Sequence, residues 1–94
     1  MGATLQTALI HACFFNQSHS VDLLLSSGAK IDIKSLVGAT ELMFAAGWGN
    51  AHIVDALISK GANVNAKDNE GKSALDYAHD HPDIVAILKA AGAK

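Results

Sequence analysis

Five histidines and a single cysteine carry most of the reactive chemistry open to this chain. His79-Asp80-His81, with Asp83 close behind, offers the imidazole and carboxylate donors of a zinc site. The spacing argues against one. His79 and His81 are two residues apart, which on a helix sends them to different faces. They also flank a turn between helices, where polar residues are the default. His11 and Cys13 pair a base with a thiol, the elements of a cysteine nucleophile. They too are two apart, and Ala46 holds the slot of Cys13 one unit later, so Cys13 reads as a small core residue. Gly71-Lys72-Ser73 lacks the earlier glycine of a phosphate loop. Asp68 and Glu70 read as turn carboxylates, solvated or capping. No catalytic, cofactor-binding or metal-binding residue is expected, and the chain is read as not an enzyme.

The elements that carry these residues recur. Thr7-Ala8-Leu9, Thr40-Glu41-Leu42 and Ser73-Ala74-Leu75 are spaced by 33 residues. Val21-Asp22-Leu23-Leu24-Leu25, Ile53-Val54-Asp55-Ala56-Leu57 and Ile84-Val85-Ala86-Ile87-Leu88 answer one another downstream. Each run closes on Gly-Ala, at Gly28, Gly61 and Gly92, the last interval being 31 instead of 33. Thr7, Thr40 and Ser73 suit helix N-caps, because a hydroxyl can accept from the free amides of the first turn. Leu9 with Ala12, Leu42 with Ala45 and Leu75 with Ala78 then share a helix face. Small residues (Ala45, Ala46, Ala78) permit close approach of a neighbouring helix. A polar break at Asn16-Gln17, Gly49-Asn50 and His81-Pro82 turns the chain into a second helix, with Pro82 suited to its first turn. The glycine that ends each second helix can take the left-handed conformation of a C-cap. Extended, turn-rich segments follow at Lys30–Ile33 and Asn63–Ala66, with Gly38 and Gly71 completing the turns.

Helix–turn–helix plus a β-turn at a period of 33 resembles the ankyrin repeat. The middle unit carries the likeness best, in Gly38-Ala39-Thr40-Glu41-Leu42, Ala45-Ala46, Gly49, Ile53-Val54 and Gly61-Ala62-Asn63-Val64-Asn65-Ala66. The third opens on Asp68-Asn69-Glu70-Gly71-Lys72-Ser73-Ala74-Leu75, close to the family's opening motif. The resemblance implies an all-α solenoid of three helix–turn–helix units with short β-turn fingers between repeats. Residues 1–94 then form one domain, with repeats at about 2–34, 35–67 and 68–94. The family's Thr-Pro-Leu-His stretch is nowhere intact. Ala8, Glu41 and Ala74 replace proline, and Ile10, Met43 and Asp76 replace histidine. The hydrogen bonds that this histidine gives between repeats are therefore lost, and Glu41 offers in return a negative charge at a helix N-terminus.

A solenoid needs polar outer faces at its ends. Ser20 stands where later units have Ile53 and Ile84. Lys89 stands where earlier ones have Leu25 and Ile58, and His79 where they have Cys13 and Ala46. These read as caps of a complete module, the alternative being a fragment of a longer array.

In this family partners meet the concave surface of turn tips and first-helix ends. The resemblance places Ala3, Thr4, Gln6, Phe14 and Phe15 there from the first unit. The second adds Leu36, Val37, Ala39, Gly47 and Trp48, and the third Asn69, Glu70, Lys72, Asp80 and His81. Large apolar groups thus fall in two adjacent units and polar groups in the third. Phe14, Phe15, Leu36, Val37, Trp48, Glu70, Lys72 and His81 are the expected protein-binding residues, since aromatic anchors carry disproportionate binding energy. Alternatively, one of Phe14 and Phe15 folds inward over the first core, whereas Trp48 is expected to be partly exposed.

Charge and composition narrow the partner. Formal net charge is −2 and all seven basic residues are lysines, without a basic stripe, so nucleic acid is not expected. No apolar run approaches the roughly 20 residues needed to span a bilayer. The N-terminus does not read as a signal peptide, and after Met1-Gly2 the residue Gln6 stands where a myristoylation signal wants Ser or Thr. A lone cysteine suits a reducing compartment. The expectation is a cytoplasmic or nuclear protein, not secreted, monomeric or weakly homodimeric, that binds another protein as an adaptor. The competing roles are a homodimeric scaffold joined through the same patch, and an engineered or reconstructed module without a natural partner.

Overall fold

The computed structural model describes residues 5–94, with side chains described from Ala8 onward. Ala3, Thr4 and the side chain of Gln6, expected at the concave rim, lie outside the described residues. Six helices follow in order: α1 (Leu5–Phe14), α2 (Ser18–Ser26), α3 (Glu41–Trp48), α4 (Ala51–Ser59), α5 (Ala74–Tyr77) and α6 (Pro82–Ala90). They pair as α1/α2, α3/α4 and α5/α6, and the pairs stack, with α1, α3 and α5 in one row and α2, α4 and α6 in the other. The result is an all-helical solenoid, 38 × 25 × 20 Å.

Local chemistry sets the ends of each helix. Thr40 caps α3, its hydroxyl accepting from the Met43 amide at 3.4 Å, while the Thr40 amide donates to the Met43 sulfur. At α5 the Ser73 amide donates to the Asp76 carboxylate at 2.8 Å. Asn50 caps α4 by accepting from the Ile53 amide, and Pro82 opens α6 where no amide hydrogen is needed. Every second helix closes in the same way. The amides of Ala29, Ala62 and Ala93 reach back to Leu24, Leu57 and Leu88, across glycines whose φ is +88, +89 and +100°.

Thr7 departs from expectation: it lies inside α1 and is not its cap. The reason is Leu5, a helix former standing where Gly38 and Gly71 turn the chain at φ +78° in the later units. First helices consequently shrink along the stack, from ten residues to eight to four.

The fingers are β-turns. The Gly38 amide donates to the Ser35 carbonyl and the Gly71 amide to that of Asp68, both closed by a second backbone bond, Ser35 to Ala39 and Asp68 to Lys72. Ala39, expected on the partner surface, is fully buried at the base of its finger. Between fingers and helices, Asp32 takes φ +63°, which an aspartate tolerates, and its carboxylate accepts from the Asn63 amide. One layer later Asn65 accepts from the Lys94 amide in the same manner.

The core runs through all three layers, from Leu9, Cys13 and Val21 through Leu42, Met43, Ile53 and Leu57 to Ala78, Ile84 and Leu88. Glu41 is buried within it, 1% exposed. Its carboxylate accepts from the amides of Asp32 at 2.9 Å and Ile33 at 3.3 Å, so it ties the linker of the first layer onto the second. This goes beyond the surface charge expected of it. Burial, and secondarily the charge of Asp32, raises its pKa above the ordinary glutamate value.

The two ends of the stack differ. His79 and Lys89 are exposed at the α5/α6 end. At the α1/α2 end Ser20 is half-buried and lines a groove with Ala8, His11, Ala12, Gln17, Leu23 and Leu24, which mixes polar and apolar groups.

Candidate functional site

The row of first helices and the turn fingers bring an aromatic cluster together. Phe14 lies at the end of α1 and meets Phe44 of α3 edge to face, centroids 5.2 Å apart at 89°. Phe15 meets Phe14 edge to face at 5.0 Å and tilts onto His11 at 4.6 Å. Phe14 and Phe15 are both about half exposed (51% and 53%), so neither folds inward to close the first core.

Phe14 and Phe44 form a wall shared by two shallow grooves. One, of about 440 Å³, runs toward the finger of the second layer between Ile10, His11, Leu36 and Val37. The other, of about 510 Å³, lies between Phe15, Trp48, Gly47 and Tyr77. A third depression of about 350 Å³ continues past Leu36 and Val37 to Asn69 and Glu70. Leu36 is wholly exposed and Val37 58% exposed, held at the tip of a turn with no core to enter.

Trp48 and His81 have a second task. The indole Nε1 of Trp48 donates to the Phe14 carbonyl at 2.8 Å. The imidazole Nε2 of His81 donates to the Gly47 carbonyl at 3.1 Å, which fixes its hydrogen on that nitrogen. Each bond spans 34 residues and joins one layer to the end of the helix before it. The inter-repeat hydrogen bonds expected to vanish with the missing histidine are thus supplied from another position. Trp48 nevertheless leaves 54% of its surface exposed, facing the groove. Asn69 is similarly engaged, its side chain donating to the Leu36 carbonyl and its amide to that of Val37.

The expected residues therefore divide. Phe14, Phe15 and Trp48 meet at one groove, Phe14, Leu36 and Val37 at the next, and Glu70 joins Leu36 and Val37 at the third. Lys72 lines none of them and stands 3.5 Å from Glu70 on the exposed finger. His81 lines none either, being turned onto Gly47. Phe44 and Tyr77 line these grooves without being among the expected residues. A signal existed: His11, Phe44 and Tyr77 are rings at 33-residue spacing.

The titratable groups are committed to structure. Asp68 accepts from the Tyr77 hydroxyl at 2.5 Å and from the amides of Glu70 and Lys72, chiefly the first of which lowers its pKa. Burial, reinforced by that bond, pushes the Tyr77 phenol up to about 12. Burial also pushes the Cys13 thiol up to about 12, so it stays protonated, as a core thiol and not a nucleophile. His79 lies against the Asp76 carbonyl and Asp80, and among the described residues no three histidines, cysteines or carboxylates gather around a common point. Among the described residues no helix is long and apolar enough to cross a membrane.

No curated protein matches this chain. A family profile described as ankyrin repeats, in three copies, matches residues 9–94. Such repeats serve in general as protein-interaction modules without enzymatic activity. Three stacked two-helix layers, with glycine-closed helices and β-turn fingers at the same period, are what that match requires, and the chain belongs to the ankyrin-repeat family.

Proposed function

We propose that this chain is a non-enzymatic adaptor that grips a protein segment across the grooves on either side of the Phe14–Phe44 wall. The observation that carries this reading is that wall itself. It places two apolar grooves side by side, bounded by the exposed Leu36, Val37 and Trp48. Adjacent apolar side chains of one partner segment would each fill a groove, and the exposed Glu70 beyond Val37 would favour a basic residue next to them. Phe14, Phe15, Leu36, Val37 and Trp48 supply the apolar contact, with Glu70 and Lys72 at the polar edge. Trp48 and His81 hold the layers in register beneath it. A protonated, buried Cys13 fits a reducing cytoplasmic or nuclear setting.

Trp48→Ala would be a poor probe, because it also breaks the bond to Phe14. Leu36→Lys is better, since Leu36 has nothing to lose but its own exposure. Peptides selected from a random library on the immobilised chain should bind with a change in Trp48 emission. Leu36→Lys should weaken them by about tenfold or more, the loss of one anchor. Peptides that bind this variant and the parent equally would refute the reading.

A further inference from the structure

The finger that carries Leu36 and Val37 has little packing of its own to hold it. From Asp32 to Val37 no side chain is buried, and only Ser35 is half-buried. Its place therefore depends on hydrogen bonds, and these run two ways. Toward the third unit, the Asp32 carboxylate accepts from the Asn63 amide and the Lys34 ammonium donates to the Lys67 carbonyl. Asn69 adds its bonds to the carbonyls of Leu36 and Val37. Toward its own unit, Ser35 and Ala39 close the turn, and Glu41, in the first turn of α3, reaches back to the amides of Asp32 and Ile33. The third unit is built otherwise. Ala74 stands in place of Glu41, and the amides equivalent to Asp32 and Ile33, those of Asn65 and Ala66, turn in to Asn63 of their own linker. The carboxylate clasp thus belongs to the unit whose finger and first helix face each other across the apolar groove between Leu36, Val37 and Phe44.

We infer that Glu41 is a positioning residue for that groove: its carboxylate fixes the finger against α3 and so sets how far Leu36 and Val37 stand from Phe44 of the same helix. The inference rests on the reading of the groove as the binding site. Its chemistry is the division of two oxygens. Ionised Glu41 gives Oε1 to the Asp32 amide at 2.9 Å and Oε2 to the Ile33 amide at 3.3 Å. A protonated carboxyl keeps one full acceptor and turns the other oxygen into a hydroxyl, and a glutamine replaces it with an NH2 donor. Protonation therefore loosens the clasp, although burial favours it. The titratable groups facing Glu41 are Asp32 of the linker, which is held by Asn63, and Cys13 of α1, whose thiol stays protonated up to about 12. As pH falls through the raised folded value of Glu41, this group adds to the stability of the chain while the finger loses its hold. Affinity and stability then move in opposite directions, which a residue that merely supports the fold would not produce.

Amide NMR spectra of the full chain, followed from roughly pH 4 to 7.5, test the clasp without any partner. The amide protons of Asp32 and Ile33 should move in one common step above the ordinary glutamate pKa. Glu41→Gln should abolish that step, and the amides of Asn65 and Ala66 should be flat across it. Peptides selected on the parent chain at neutral pH then test the groove. Glu41→Gln should weaken them roughly tenfold, and Glu41→Ala, which copies Ala74, at least as much, with the helical circular dichroism unchanged. Parent affinity should fall as pH drops through the step, while the parent thermal midpoint rises relative to that of Glu41→Gln. Glu41→Gln should lack the fall in affinity, and Glu70→Gln should keep it. Amides of Asp32 and Ile33 that do not follow Glu41 overturn the inference, and so do peptides bound equally by the parent and Glu41→Gln. Either result leaves the groove reading standing. Peptides that ignore Leu36→Lys refute the groove reading itself, and the role given to Glu41 falls with it even where the amide step is present.

Discussion

The junction between the first and second layers and the junction between the second and third solve one problem with different side chains. In both, a ring N–H reaches back 34 residues to a carbonyl at the end of the preceding first helix, Trp48 to Phe14 and His81 to Gly47. At the first junction the residue whose carbonyl is used is a phenylalanine, and its ring joins Phe44 and Phe15 in an open aromatic surface. At the second it is a glycine, and Tyr77 lies over it, 3.6 Å from where a Cβ would stand. The helix-ending turns differ in the same sense. Asn16, at φ +59°, keeps a side chain that accepts from Asn50, while Gly49, at φ +75°, is pressed by the His81 ring. At each junction the ring uses one N–H for the clasp, so the remainder of each ring is free to be chosen for what it shows to solvent. That freedom is spent on apolar exposure at the first junction and on close packing at the second.

The largest effect that would break this comparison is at Gly49. A methyl group there would meet the His81 ring 2.6 Å away and would add backbone strain, so Gly49→Ala should cost about 2–3 kcal/mol in urea unfolding. Asn16→Gly, at the equivalent turn, should change stability by no more than about 0.5 kcal/mol. Equal costs at the two positions would mean that the junctions are not built differently.

Removing the ring donors comes next. Trp48→Phe and His81→Phe should each cost about 1 kcal/mol, one hydrogen bond apiece, read from the same denaturation midpoints. If only one of them does, the two bonds are not equivalent clasps.

Stability against pH gives a smaller effect with two signs. Glu41, whose folded pKa is raised by burial, contributes stability below the ordinary glutamate pKa that is lost as pH rises through the folded value. Asp68 behaves oppositely: its contribution is present above the ordinary aspartate pKa and is lost as pH falls through its lowered folded value. Thermal midpoints followed from roughly pH 3 to 7 should therefore slope in opposite senses in the two windows. Glu41→Gln should flatten the upper one, and Tyr77→Phe, which removes the chief cause of the Asp68 shift, should reduce the lower one. The smallest effect is at the finger tip, where Leu36→Lys should leave stability within about 0.5 kcal/mol while abolishing the apolar end of the grooves.

Much of the fold was legible before any coordinates. The period of 33, the capping hydroxyls of Thr40 and Ser73, and the glycines closing each second helix are local signals that act within one or two turns. They mark the starts of α3 and α5 and the ends of α2, α4 and α6. At the start of α1, Thr7 reads as a cap by residue type, but Leu5 stands where the later units have a turn glycine and the helix begins there. The candidate site was legible only in part. Phe14, Phe15, Leu36, Val37 and Trp48 stand out as large apolar residues at helix ends and a turn tip, but Phe44 looks like ordinary core from its place in the helix. Only packing shows it as the ring that divides the grooves. Ala39 failed in the other direction, since a turn residue reads as exposed until the finger folds over it.

The sequence by itself determined where most helices begin and end, which of their faces are apolar, and that three similar units must stack, because capping, left-handed glycines and helical spacing depend on near neighbours alone. Tertiary structure decided what Trp48, His81 and Glu41 do. Their partners lie in a different layer or its linker, 8 to 34 residues away, and which carbonyl or amide falls within 3 Å or so depends on how one layer is rotated and set down upon the last.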